Sequence, residues 1–236
     1  MKIIYALIGL CLISTSSFSQ IQSAQELLNK AIKYHDPDSN WDTFNDSLFV
    51  TMKSPKRSTR ESQIHINLPT EQFYIKATRD SITTEYKLDK DQCEIFLNGS
   101  ANLDEDTLKS HNLSCERANM YKNYYSYLYG LPMKLKDEGT KIHDVVERKS
   151  FKGKDYLVLK VTYDEAVGND IWYFYFNPET YAMEVYQFFH DESKNDGEYI
   201  LLSNEVPISG IKMPKNRAWY YNKDDGYLGT DSLTNK

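Results

Sequence analysis

Three His-Asp pairs are the residues best suited to chemistry: His35-Asp36, His143-Asp144 and His190-Asp191. Imidazole and carboxylate together ligate cations, so such pairs are candidates for a metal-assisted hydrolase. Their spacing argues against it. Adjacent residues on a strand point to opposite faces, so one pair cannot chelate. None has the i, i+4 spacing that puts two ligands on one helix face. The one workable combination is His35 with His190 and Glu192, brought together by the fold. The weightier alternative is that all three pairs are polar turn or edge residues.

Other catalytic signatures are missing. The sequence has no G-x-S-x-G, P-loop, H-E-x-x-H or C-x-x-C. Asn195-Asp196-Gly197 is a hairpin turn signal. Asp89-Lys90-Asp91 and Asp104-Glu105-Asp106 lack calcium-loop spacing and read as solvated turns. No catalytic residue, cofactor or metal is therefore assigned. The tyrosines between 121 and 129 could stack on sugars, but core packing accounts for them better.

The chain begins with Lys2, an apolar run from Ile3 to Ile13 broken at Gly9, and a small polar stretch from Ser14 to Ser19. That order is a cleavable secretion signal over residues 1–19, with Gln20 as the mature start. Eleven helical residues reach about 16 Å, against roughly 30 Å of hydrocarbon, so the run is too short for an anchor. Leu10 before Cys11 excludes a lipoprotein cut. The protein is expected in the periplasm or outside the cell.

The whole sequence has 28 basic and 34 acidic residues. Loss of Lys2 with the signal leaves 27 against 34, a net charge of −7. A nucleic-acid partner needs a basic footprint and is excluded. No later stretch is long and apolar enough to span a membrane. Residues 20–236 have no linker and no repeat, so one domain and a monomer are expected. Cys93 and Cys115 remain after cleavage. An even count in an oxidising compartment favours a disulfide, worth about 3 kcal/mol in the chain-entropy account. Two unpaired buried thiols are the alternative.

The elements follow from periodicity. Ala24, Leu27, Leu28, Ala31 and Ile32 form a helical stripe, opened by Ser23 with Glu26 and ended at Pro37. Alternating strands follow through Leu97, each pair separated by turn residues. A short helix over 104–110 and a Tyr-rich helix over 115–129 come next, the second closed by Gly130 as its terminal glycine. Strands then resume to Tyr221. Pro207 and Pro214 bracket Ser209-Gly210, which places that hairpin near a sheet edge.

Residues 171–176, Ile-Trp-Tyr-Phe-Tyr-Phe, do not alternate. Antiparallel strands usually have one polar face. Burial of each large apolar side chain is worth roughly 1.5–3 kcal/mol, so both faces of this strand must be covered. The two longer helices are the available cover. The fold class is therefore mainly β (α+β): a curved antiparallel half-barrel sheet with helices packed on the concave face. Such a fold either leaves an apolar cleft between sheet and helices or is filled completely. If a cleft exists, its lining candidates are Trp172, Phe174, Phe176, Tyr124 and Tyr125.

The order signal, helix, strand meander, helical insertion, strand meander resembles the periplasmic lipoprotein-carrier (LolA/LolB-like) superfamily. Gly210-Ile211-Lys212-Met213-Pro214 resembles the G-x-x-x-P stretch often seen there. A closer resemblance is to an uncharacterised family of exported Bacteroidota proteins. It is carried by Lys30-Ala31-Ile32, Tyr34-His35-Asp36 and Trp41, then by Tyr129-Gly130-Leu131-Pro132. Further on it is carried by Tyr173-Phe174-Tyr175-Phe176-Asn177-Pro178 and His190-Asp191-Glu192. The resemblance implies an apolar cleft able to hold the acyl chain of a lipid or lipoprotein. The expected function is non-enzymatic lipid binding in that cleft. The alternatives are the hydrolase built on His35, His190 and Glu192, or an envelope scaffold with a filled core.

Overall fold

The computed structural model describes residues 23–234; the expected secretion signal lies outside them. Helix α1 (Ala24–His35) leads into β1 (Asn45–Ser54), β2 (Arg57–Asn67), β3 (Gln72–Arg79), β4 (Ile82–Asp89) and β5 (Gln92–Leu97). The short α2 (Glu105–Ser110) and the longer α3 (Cys115–Gly130) interrupt the strands. Then come β6 (Thr140–Ile142), β7 (Glu147–Phe151), β8 (Lys154–Tyr163), β9 (Ile171–Phe176) and β10 (Met183–Phe189). Last are β11 (Glu198–Ile208), β12 (Ile211–Tyr221) and β13 (Tyr227–Leu233). Among the described residues these strands form one open, curved antiparallel sheet. Its order is β5-β4-β3-β2-β1-β13-β12-β11-β10-β9-β8-β6, with β7 also paired to β8. The fold is the helix-covered half-barrel that the patterning predicts.

Several strands needed the structure to place them. The sequence reading ends at Tyr221, yet β13 sits between β1 and β12 at the middle of the sheet. Its residues, Tyr-Leu-Gly-Thr-Asp-Ser-Leu, are too polar to announce a central strand. The β11–β12 hairpin is central too, not at an edge. Its prolines are tolerated for a local reason. Pairing with β10 ends at Leu201, and pairing with β13 begins at Asn216. Pro207 and Pro214 thus lie in a part of the hairpin that projects past both neighbours, where no second ladder asks for their N–H.

Strand β9 is covered on both faces. Phe174 and Phe176 join the main core, with Trp172 packed at its margin. Tyr173 and Tyr175 belong to a second cluster on the opposite face. The helices cover only the first face. On the second, Phe151 at the end of β7 packs 5.1 Å from the Tyr175 ring and 5.3 Å from the Tyr199 ring.

Helix α3 is fastened at both ends. Ser114 caps it, its Oγ accepting from the Arg117 N–H at 3.2 Å. Cys115 is disulfide-bonded to Cys93 on edge strand β5, with Cα atoms 6.0 Å apart. At the other end Gly130 is the last helical residue and not a left-handed cap. A Cβ there would overlap the Trp41 ring. The glycine is needed for close approach of helix to indole, a demand that sequence alone does not distinguish from capping.

Helix α1 is fastened by His35, which is fully buried. Its Nδ1 lies 2.7 Å from the Lys212 carbonyl, and its Nε2 accepts from the Met183 N–H at 2.9 Å. A carbonyl only accepts and an amide N–H only donates, so Nδ1 carries the proton and the ring is neutral. The neighbouring Asp36 accepts from the Asn40 and Trp41 N–H groups at 2.8 and 2.9 Å, which shapes the turn after α1. Burial pushes the His35 pKa down, against the opposing pull of the Lys212 carbonyl.

Truncation of His35 to Ala leaves two buried backbone groups unpaired and is expected to cost about 2–4 kcal/mol in chemical denaturation. The pH dependence has a definite sign. The unfolded chain protonates His35 near pH 6.5, but the folded chain resists it to lower pH. The contribution is complete above about pH 6.5 and is lost as pH falls below it. The stability difference between wild type and His35→Ala should therefore shrink from pH 7.5 to pH 5, read by denaturant titration at each pH. A separate double variant, Cys93→Ser with Cys115→Ser, is expected to lose about 2–4 kcal/mol in the same assay.

Candidate binding cleft

Tyrosines surround α3 on more than one side. Tyr125, Leu128 and Tyr129 are buried against the sheet. Tyr124 and Tyr127 are half-buried on its flank, facing a cleft of about 650 Å³. The opposite wall is Tyr163 at the end of β8 and Trp172 near the start of β9. The Tyr127 and Tyr163 hydroxyls are hydrogen-bonded, and the Tyr127 ring lies edge-on to Trp172 at 5.8 Å. The loop between β8 and β9 closes one side and carries Val167, 58 % exposed. Lys122 and Lys134 stand at the margin, the latter paired with Asp137.

The cleft suits binding better than catalysis. Burial holds the Tyr124 and Tyr127 phenols well above their ordinary range and the Tyr163 phenol at about 12. All three stay neutral at physiological pH and offer no ready base or nucleophile. Four aromatic residues line it beside polar and charged ones such as Lys122, Glu138 and Asp170, and the volume falls within the roughly 300–1,000 Å³ of ligand pockets. A hollow of about 590 Å³ lies over the other half of the sheet, lined by His65, Tyr74, Lys87, Asp89 and Glu94. Those are mostly the polar side chains of a solvated strand face, so it is the weaker candidate.

The five predicted lining residues divide. Tyr124 and Trp172 line the cleft. Phe174 and Phe176 are fully buried and Tyr125 is 1 % exposed, within the core that adjoins it. Phe174 stacks 5.9 Å from Trp172, and Tyr125 packs edge-on to Tyr124 at 5.1 Å. Tyr127, Tyr163 and Val167 were not singled out from sequence. Tyr127 shares the helical spacing of its neighbours and was legible in principle. Val167 sits in a loop with no periodicity to mark it.

His35, His190 and Glu192 are not brought together. His35 binds Met183 at the start of β10, and His190 lies seven residues on, about 23 Å along an extended strand. His190 is exposed and pairs with Asp170 at 2.6 Å, which raises its pKa. Glu192 accepts from Lys160 at 2.8 Å and from the Tyr173 hydroxyl at 2.5 Å, and its pKa is lowered. Among the described residues no group of three His, Cys, Asp or Glu could hold a metal ion.

An open, helix-covered half-barrel of this kind is the LolA-like fold. Residues 2–236 match the family model described as "Family of unknown function (DUF6503)", and the chain belongs to that family. It is similar to a solved LolA superfamily protein from Nitrosomonas europaea, at 13 % identity and TM-score 0.53. That match covers 90 % of this chain and 92 % of the other. A putative outer membrane lipoprotein-sorting protein domain from Vibrio parahaemolyticus matches at 11 % identity and TM-score 0.48, covering 88 % and 90 %. No curated protein matches the sequence.

The separation of the three polar residues has a direct consequence. His190→Ala should leave zinc content unchanged after dialysis against zinc, as measured by plasma mass spectrometry. Loss of a stoichiometric zinc in that variant would contradict the separation.

Proposed function

We propose that the protein is an exported, periplasmic carrier that binds a lipid, or the acyl chain of a lipoprotein, in the cleft between α3 and the β8–β9 end of the sheet. The cleft carries this reading: about 650 Å³, open to solvent and lined in part by Tyr124, Tyr127, Tyr163 and Trp172, with an exposed valine at its rim. Several considerations support it. Half-exposed aromatic rings are costly to leave in water, and an apolar occupant would recover that burial. Neutral phenols and the indole offer shape and apolar contact as means of recognition. The Cys93–Cys115 disulfide suits an oxidising compartment. The likeness in fold to a LolA superfamily protein is in keeping with the same role. In this reading the mature protein, residues 20–236, acts as a monomer that diffuses between membranes.

The test is native mass spectrometry of protein purified from its own envelope. An acyl species at one per chain is expected, reduced in Trp172→Ala and in Val167→Asp. Absence of any acyl species, together with no uptake of an added apolar fluorophore, would overturn the reading and leave an envelope scaffold.

A further inference from the structure

One row of directly opposed residues crosses the inner face of the sheet. It runs from Arg79 on β3 through Arg60 on β2, Met52 on β1 and Asp231 on β13 to Arg217 on β12. Opposed residues on neighbouring strands share a face, so these side chains stand together beneath α3. Arg217 is 1 % and Asp231 3 % exposed. The Arg217 guanidinium lies over the Tyr129 ring at 3.9 Å. Its Nη1 donates to the Pro214 carbonyl at 2.9 Å and its Nη2 to the Leu128 carbonyl at 3.5 Å. Arg60 donates through Nη2 to the Tyr125 hydroxyl at 2.6 Å.

Their bonding is incomplete. Nε of Arg60, Nε of Arg217 and the hydroxyls of Tyr129 and Tyr186 are buried without a partner of full hydrogen-bond geometry, the Tyr186 hydroxyl facing Arg217. Ser62 Oγ, Trp219 Nε1 and Asp231 Oδ1 also lack full hydrogen-bond geometry, with Trp219 facing Asp231 and Ser62 facing Tyr125. Donors outnumber acceptors here. Charge is unbalanced in the same direction, with two arginines facing one carboxylate and half-buried Arg79 adding to the excess. Burial raises the Asp231 pKa, with both arginines and the Trp219 N–H pulling the other way. Buried surplus charge is expensive unless a counter-charge meets it.

This centre adjoins the cleft. The Tyr186 ring is 6.1 Å from Trp172, and the Trp219 ring is 6.4 Å from Tyr124. Trp172 and Tyr124 are both cleft walls, so a single aromatic layer separates the two regions. We propose that the ligand is a single-chain amphiphile with a free carboxylate, its chain in the cleft and its head among Arg60, Arg217, Tyr129 and Tyr186. The proposal rests on the acyl-binding reading of the cleft and narrows it to an acid. An ionised carboxylate has about four acceptor sites, enough to take up the donors of these four residues among the six unsatisfied N–H and O–H groups. Its single negative charge offsets the surplus, and guanidinium is the side chain best matched to it. Entry requires the Tyr124 or Trp172 ring to turn aside.

The test is isothermal titration calorimetry of the mature protein with laurate, methyl laurate and dodecyl phosphate. Laurate should bind about tenfold or more tighter than either of the others. Arg217→Met should bring laurate to the level of the ester and leave the ester unchanged. Tyr186→Phe keeps the ring and should weaken laurate about threefold, so it tests the site even if Arg217→Met does not fold. Equal binding of laurate and methyl laurate would overturn the acid proposal and leave the cleft reading standing. Tighter binding of dodecyl phosphate would replace the carboxylate with a phosphate head. Binding of none of the three would overturn both.

Discussion

Covering β9 on both faces is the constraint on which the rest of the architecture depends. Aromatic or large apolar residues at all six positions leave no face for water. On the inner side the cover comes from helices that a β-meander would not otherwise need. On the outer side it comes from β7, an extra strand that pairs off the main path and lays Phe151 across Tyr175 and Tyr199. The fastening of α3 follows from the same need. The disulfide holds its first turn to β5, and the absence of a side chain at Gly130 lets its last turn meet Trp41.

The candidate site is a by-product of that cover. A helix with tyrosines around more than one side cannot bury all of them against one sheet. Tyr125 and Tyr129 fill the interior, and Tyr124 and Tyr127 are left half-buried beside the cleft, where Tyr127 meets Trp172 and Tyr163. The same tyrosines roof the arginine row. A phenol is well suited to both tasks, with an apolar ring for packing and a hydroxyl able to meet a guanidinium. Burial keeps these hydroxyls protonated.

Much of this was legible in residue order. The Ser23 cap and its apolar stripe, the meander of strands and the two-faced β9 each carry a local signal, and together they dictate a helix-covered sheet. Cleft lining was legible in part. Alternation puts Trp172, Phe174 and Phe176 on one face, but it cannot say that the strand's inner end is sealed while its beginning stays open. Other features depended on long-range register. The row of Arg60, Asp231 and Arg217 joins residues far apart in sequence and has no local pattern. Asp231 even lies on a strand too polar to be recognised. The histidines show the converse. His35 looked available for chemistry, yet both of its ring nitrogens serve to hold α1 to the sheet.

The central claim is that an apolar chain occupies the space between α3 and the start of β9. Hydrogen exchange of the mature protein, read by mass spectrometry with and without laurate, tests it most directly. The account predicts added protection in peptides spanning 122–140 and 163–172, joined by those around Arg60, Tyr186 and Arg217 where the acid head is seated, with none over β3–β5. Protection over β3–β5 instead, or no change across 122–140 and 163–172 at saturating ligand, would contradict it.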